Sequence, residues 1–268
     1  MIRFDIRKLA PRPKGTVILL PPPRPSWSAE VAYLRALRAL LRGLAALVRD
    51  DIAPAAERTR LRLDAGFTAD VEEGEWEEFE RTAARLTAVA ETTVSTVLSL
   101  EAQRHTKEFM TIAKRALGID LTSIVREEDL GDYLDLASQR SANLIRSLSN
   151  DTYKKIKDRT LSTVLSGTPA SEYQKQLAAE FGFSDRRAKV IARDQIGKLN
   201  ADITRIRQQQ AEINEYDWIT SQDERVRQLH QSLSGNRYKY GERTGAEGGL
   251  PPGQPIMCRC YAQGVIVF

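Results

Sequence analysis

Apolar residues recur at helical spacing through most of the first 210 positions of the chain. A first stripe predicts a helix over about 26–48, which Ser26 or Ser28 can cap. Pro54 then interrupts the pattern. A much longer stripe predicts a helix over about 69–117, with acidic residues in its first turns and basic residues in its last, which complements the helix dipole.

Three more helical segments precede residue 215. One spans about 129–167, and the next opens at Thr168-Pro169. We expect this second helix to end near Gly182, because Ser184 and Asp185 are good N-caps for another helix. The apolar positions of that last helix form a seam for a helix of this chain or of a partner, and they are Ala192, Ile196, Leu199, Ile203, Ile206 and Ile213.

The pattern of apolar and polar residues changes after Asn214. Residues 216–220 and 237–240 alternate like strands, and a Gly- and Pro-rich loop over 241–253 follows. We predict β structure from Cys258 to the last residue printed, with a bulge at Gly264. The fold class is therefore mainly α, with long helices and a C-terminal α+β cap.

The first 26 residues are predicted to be an extended, proline-rich arm. Prolines at six positions between 11 and 25 disfavour helix there. Between them, Thr16 to Leu20 is strand-like. This apolar segment is suited to the sheet edge or groove of a partner, to a strand in the chain's own sheet, or to disorder.

Charge is unevenly distributed, although the net charge is only +4. Residues 1–66 hold 13 Lys and Arg against six Asp and Glu, whereas residues 67–80 hold seven acidic side chains and no basic one. The basic region is suited to phosphates or to an acidic protein surface, but a solvated face has the same composition.

Several classes of protein are excluded at this stage. The longest apolar runs are far shorter than the roughly 20 residues that span a bilayer, and the N-terminal residues lack a signal-peptide pattern. Cys258 and Cys260 are too few and too close for a disulfide framework. We expect synthesis in a reducing cytoplasm and no membrane partner.

Reactive side chains concentrate between residues 218 and 260. His230, Cys258 and Cys260 offer three metal ligands. Structural zinc takes four ligands, most often from Cys-x-x-Cys or Cys-x-x-His pairs, and Cys-x-Cys is a poor chelating pair. We therefore expect no metal.

A catalytic interpretation would use Asp223, Glu224, Arg225 and His230 as an acid–base or phosphate-handling set. Nothing in their spacing fixes a mutual geometry, and the chain has no GxSxG, HExxH, Walker A or GxGxxG motif. His105, the other histidine, is expected on the surface of the long helix.

A structural interpretation carries most weight. In it the carboxylates of the 220–230 segment pair with Arg225, Arg227 or Arg259 and brace the loop against the cap. Trp218 packs beneath this network. No cofactor and no enzymatic activity are then required.

Four blocks in this region together resemble the phage Mu F-like minor head protein family. They are Ile191-Ala-Arg-Asp-Gln195, Trp218 to His230, Leu233-Ser-Gly235 and Pro252 to Cys260. Their order and spacing make the resemblance specific, and it covers roughly residues 125–262. The positions that carry the motif are Arg193, Asp194, Trp218, Thr220, Asp223, Glu224, Arg225, Arg227, His230, Gly235, Cys258, Arg259 and Cys260.

The resemblance implies a minor capsid protein of a tailed bacteriophage, made in the host cytoplasm and placed inside the head at the portal vertex. It implies a role in head morphogenesis and in DNA packaging or delivery. The implied partners are the portal protein, the major capsid or other head proteins and packaged double-stranded DNA, with several copies around the portal. A transient assembly factor is an alternative, and so is an effector enzyme with a ribonuclease-like or ADP-ribosyltransferase-like activity in the cap.

On this interpretation the chain divides into four parts. Residues 1–26 form the basic arm and 27–120 the long-helix region. Residues 121–215 form the helical part of the Mu F-like domain, and 216–268 its β-rich cap.

One departure from the family bears on metal binding: many members carry Cys-x-x-Cys where this chain has Arg227-Gln-Leu-His230, and a His at the position of Pro255. Those members resemble zinc binders, and the loss of ligands here makes zinc an unexpected cofactor.

Overall fold

The computed structural model describes residues 3–65 and 73–268. Part of the acidic run 67–80 and the predicted helix start at Ala69 lie outside the described residues. The helices are α1 Ile6–Leu9, α2 Trp27–Leu47, α3 Ala53–Asp64, α4 Glu73–Leu117, α5 Gly131–Ser166, α6 Ala170–Gln210 and α7 Gln228–Ser232. The strands are β1 Val17–Leu20, β2 Glu215–Ile219, β3 Arg237–Lys239 and β4 Tyr261–Val267. The predicted class, mainly α with an α+β cap, is confirmed.

The first predicted helix begins and ends close to its expected limits. The Ser26 hydroxyl accepts a hydrogen bond from the backbone N–H of Ala29 at 3.2 Å, as an N-cap does. A π-helical turn over Val48–Ile52 then leads directly into α3. Pro54 stands in the first turn of α3, where its missing N–H needs no partner, so it begins this helix.

The predicted helix break near Gly182 is wrong, because α6 runs through it without interruption. The two expected N-caps bond to neighbouring helices. The Ser184 hydroxyl lies 2.8 Å from the Thr152 hydroxyl, and Asp185 accepts a hydrogen bond from Arg38 Nε at 2.7 Å. These lateral contacts hold both side chains away from the local backbone N–H groups that a cap would satisfy.

The apolar seam of α6 closes within the chain. Ala192, Ile196, Leu199, Ile203 and Ile213 are almost completely buried, and Ile206 is half-buried. Burial on this scale leaves the seam no free surface for a partner helix. Of the two interpretations of the seam, the structure selects the internal one.

The four strands form one antiparallel sheet in the order β1-β4-β2-β3. The register is continuous along β4, where Gly264 faces Leu20 on one side and Tyr216 on the other. The predicted bulge at Gly264 is therefore wrong. The glycine is needed for close approach, since a Cβ there would lie 2.8 Å from the side chain of Gln208.

The N-terminal segment is part of the fold. β1 pairs with β4, and the side chains of Ile6 and Leu20 are buried in the same apolar cluster as Ile266. The prediction that residues 1–26 contain no helix is wrong at α1, a single turn that begins after Asp5 and ends before Pro11. Of the alternatives for Thr16 to Leu20, the structure selects the strand in the chain's own sheet.

The chain forms two compact units. The first contains the residues up to Glu30, Val97–Ala137 and Arg193–Phe268, and the second contains Val31–Thr96 and Ser138–Ala192. Each unit is built from separate stretches of sequence, whereas the predicted parts follow one another along the chain. One apolar cluster of the first unit consists of Ile6, Ala10, Leu20, Phe109, Ala113, Leu117, Leu121, Val125, Ala211, Ile213 and Ile266.

Polar pairs join the helices of the second unit. Arg146 of α5 donates to Glu91 of α4 at 2.8 Å, and the hydroxyls of Thr87 and Ser149 lie 2.9 Å apart. Tyr153 of α5 also donates to Glu80 of α4 at 2.5 Å. These side chains align the two helices around their buried apolar positions.

His105 is buried in the first unit, and its predicted surface position is wrong. Its Nε2 lies 3.0 Å from the hydroxyl of Thr204 on α6. Burial lowers the pKa of this imidazole from 6.5 to about 3, and the positive charges of Arg104 and Arg207 act in the same direction. The ring is therefore a neutral core residue.

Candidate functional site

Three elements of the first unit bring the sequence motif together. β2 carries Trp218, α7 carries His230, and the turn before β4 carries Cys258 and Cys260. Trp218 is buried, and its ring meets the His230 ring edge to face at a centroid distance of 5.3 Å. The indole therefore fixes the plane in which the imidazole lies.

His230 is held from both of its nitrogens. Its Nε2 lies 2.7 Å from a carboxylate oxygen of Glu247, which accepts a hydrogen bond from the ring, and this hydrogen bond lowers the pKa of Glu247. Its Nδ1 lies 3.5 Å from the Sγ atoms of both Cys258 and Cys260. With the proton on Nε2, the Nδ1 lone pair points to the two sulfur atoms.

The turn that presents the cysteines is fastened to α6. Asp194 accepts a hydrogen bond at 2.9 Å from the backbone N–H of Met257, and Lys198 pairs with the other oxygen of this carboxylate at 2.6 Å. Met257 has a φ of 58°, a left-handed backbone conformation that residues other than glycine rarely adopt. The Asp194 contact holds this conformation, which gives the motif aspartate a positioning role.

The two thiols interact with each other. The hydrogen bond from Cys260 lowers the pKa of the Cys258 thiol, and the same pairing raises the pKa of Cys260. The backbone N–H of Cys260 also donates to Cys258 Sγ at 3.4 Å. Cys258 is therefore the thiol that ionises first.

The three donor side chains lie close enough together to bind a metal ion, although their spacing in the sequence did not predict this. One donor atom from each of His230, Cys258 and Cys260 lies within 4.8 Å of the others. One imidazole and two thiolates suit Zn²⁺, and a carboxylate on the far nitrogen of the histidine is a common support for such a ligand. That the protein binds no zinc stays a prediction. The short distances between the three donor atoms argue against this prediction.

Arginines surround a cavity of about 270 Å³ next to this centre. Arg259 pairs with Asp223, and the backbone N–H of Arg225 donates to the same carboxylate at 3.0 Å. Arg227 donates to the Ile256 carbonyl oxygen at 2.6 Å and lies 3.5 Å from Glu247. The residues that line the cavity are Arg193, Arg225, Val226, Arg227, His230, Met257, Cys258, Arg259 and Cys260.

The remaining motif residues lie outside the cavity lining. Gly235 has a φ of 86° and donates its N–H to the Trp218 carbonyl oxygen at 2.8 Å, which closes the turn between α7 and β3. Thr220 is buried, Glu224 is exposed, and Asp223 serves as the partner of Arg259. The predicted acid–base set therefore contributes only Arg225 and His230 to the cavity.

Glu247 is the site residue that the sequence did not reveal. It lies in a 3₁₀ turn, Glu247–Gly249, within the loop that composition identified only as rich in glycine and proline. No spacing rule links it to His230, 17 positions earlier. Only the fold of the loop brings the carboxylate to the imidazole.

The fold and the site define a class: a helical protein whose small antiparallel sheet carries a buried histidine–cysteine centre. Residues 154–263 match the family described as "Phage Mu protein F like protein". These residues are therefore similar to that family, as the sequence motif predicted.

A relative in Haemophilus influenzae, described as an uncharacterized protein, is 29% identical over 161 residues. The match covers 60% of this chain and 35% of the relative, so the chain spans about a third of that protein's length. No solved structure matches the chain. Among the described residues, no helix combines the length and apolar character needed to cross a membrane.

Proposed function

We propose that this protein is a minor head protein of a tailed bacteriophage that acts inside the head, next to the portal, in assembly and in DNA packaging or delivery. One observation carries the proposal: the family match over residues 154–263 includes the cap with its histidine–cysteine centre. The proposed partners are the portal protein, other head proteins and packaged double-stranded DNA. Several copies would surround the portal.

The geometry of His230 supports a structural role for the centre. Its side chain is only 2% exposed, and both ring nitrogens already face protein groups. A general acid or base must reach a substrate proton at hydrogen-bond distance. The centre therefore supports a structural role, in which contacts between β2, α7 and the turn before β4 stabilise the cap, more than it supports a ribonuclease-like site.

We propose that the helices contact the head proteins and DNA. The N-terminal arm is not proposed for this contact, because its strand β1 is paired within the protein's own sheet. α2 and α3 present exposed arginines, including Arg35, Arg42 and Arg62. Cations on a helical surface suit an acidic protein partner or the phosphates of DNA. This surface supports the proposed contact with head proteins and DNA.

Quantitative mass spectrometry of procapsids and DNA-filled particles tests the proposal. We expect peptides of this chain in both samples at one fixed ratio to portal peptides. Presence in procapsids and loss from filled particles would instead indicate a transient assembly factor. Absence from both samples would contradict the virion role, and an RNA-cleavage assay on wild type and His230→Ala would then test the enzyme alternative.

A further inference from the structure

The cavity beside the histidine–cysteine centre is bordered by four guanidinium groups. They come from separate parts of the chain: α6 carries Arg193, the segment before α7 carries Arg225 and Arg227, and the turn before β4 carries Arg259. A concave surface bordered by charges of one sign raises the local concentration of the opposite ion.

Only two of the four arginines are neutralised by carboxylates. Arg259 pairs with Asp223, and Arg227 lies 3.5 Å from Glu247. Within residues 3–65 and 73–268, the guanidinium groups of Arg193 and Arg225 form no ion pair. Two positive charges therefore remain at the cavity.

We propose that this cavity binds a phosphate group. A guanidinium group presents a rigid fork of N–H donors that matches two phosphate oxygens. A phosphate can engage two such forks at once and carries up to two negative charges, whereas a carboxylate has two oxygens and one charge. The group would come from a small phosphorylated molecule or from the backbone of a nucleic acid.

The size of the cavity supports a single phosphate group with little more than its attached sugar. Its volume of about 270 Å³ lies just below the usual range for small-molecule pockets, roughly 300–1,000 Å³. Val226 and Met257 supply apolar wall next to the arginines. This inference goes beyond the proposed head function and would hold if that function were disproved.

Two titrations of the full chain test the proposal and separate the sources of the phosphate. Inorganic phosphate is followed by ³¹P NMR, and a short double-stranded DNA is followed by fluorescence anisotropy. The variants are Arg193→Gln and Arg225→Gln, and Arg115→Gln is the control because Arg115 is equally charged, is exposed on α4 and lies outside the cavity lining. Arg225 is exposed, so its replacement leaves a folded protein even if the half-buried Arg193 is needed for stability.

We expect binding in at least one titration, weakened roughly tenfold by Arg193→Gln or Arg225→Gln and unchanged by Arg115→Gln. Binding of inorganic phosphate with this dependence indicates a small-molecule ligand. The same dependence with DNA alone indicates a backbone phosphate. No binding in either titration, or binding indifferent to both arginines, overturns the proposal. Binding that is lost in Cys258→Ser but kept in both arginine variants also overturns it, because a metal would then hold the anion.

Discussion

At the scale of single residues, the two histidines show how one side-chain type serves two environments. His105 is buried with the hydroxyl of Thr204 beside it and two arginines nearby, and it stays neutral. His230 lies between a carboxylate and two thiols. The sequence assigned His230 to the motif and His105 to the helix surface, and the second assignment failed because the pattern along α4 does not reveal how α6 packs against it.

The buried His105 predicts acid sensitivity. Its folded-state pKa of about 3 lies below the unfolded value near 6.5, so the unfolded chain binds more protons between these two pH values. Its contribution to stability is therefore complete above pH 6.5 and declines as the pH falls toward 3. We expect the free energy of unfolding to drop by about 2 kcal/mol between pH 7 and pH 5 because of this residue.

Urea denaturation at both pH values measures this effect. His105→Gln, which can still donate a hydrogen bond to Thr204, should remove about that amount of pH dependence. An equal pH dependence in wild type and variant would contradict the argument.

The histidine–cysteine centre predicts metal binding. We expect the reduced chain to bind one Zn²⁺, since three donor atoms already lie within 4.8 Å of one another. His230→Ala or Cys258→Ser should abolish binding, whereas His105→Gln, which alters the other histidine, should retain it. Equilibrium dialysis followed by elemental analysis gives the stoichiometry, and thermal unfolding with and without a chelator gives the effect on stability. A reduced wild-type chain that takes up no zinc would restore the expectation drawn from the sequence.

At the scale of elements, close packing between β4 and α6 explains Gly264. Gln208 of α6 accepts a hydrogen bond from the Tyr240 hydroxyl at 2.8 Å and donates to the Ala262 carbonyl oxygen. Both polar atoms of its terminal amide are therefore hydrogen-bonded, so the side chain cannot easily move away from a methyl group added at position 264. The glycine lets β4 lie directly on this amide.

Gly264→Ala should therefore destabilise the protein by about 1–3 kcal/mol. Gly131→Ala is the matched control, because no heavy atom lies within 4 Å of the Cβ position at the start of α5. The control should be neutral or gain up to about 1 kcal/mol from helix propensity. Urea denaturation compares the two variants. Equal stabilities would contradict the prediction, because they would show that the Gln208 side chain moves aside to admit the methyl group.

The helices and strands were largely predictable, because their apolar stripes are long and regular. The errors fall where a tertiary contact overrides a local signal. Ser184 and Asp185 have the chemistry of N-caps, yet Thr152 and Arg38 engage them inside a continuous helix. The motif predicted that His230, Cys258 and Cys260 belong to one region, but neither Glu247 nor the cavity could be derived from spacing.

At the scale of the whole molecule, the N-terminal segment acts as a core element. Leu20 is 0% exposed and Leu19 is 44% exposed, on opposite faces of β1. Leu20→Ala should cost about 2–5 kcal/mol, the usual range for a buried leucine. Leu19→Ala should cost far less. Chemical denaturation of both variants checks this, and two equally small losses would restore the interpretation of a free arm.

The pairing of β1 with β4 joins positions about 250 residues apart in sequence. At a translation rate of about 5–20 residues per second, β1 leaves the ribosome roughly 10–50 s before its partner strand exists. During that interval the nascent chain carries a Val-Ile-Leu-Leu segment with no strand to receive it. The sheet is therefore completed only after β4 has been synthesised, and until then this segment exposes apolar surface of the kind that chaperones bind and that favours aggregation.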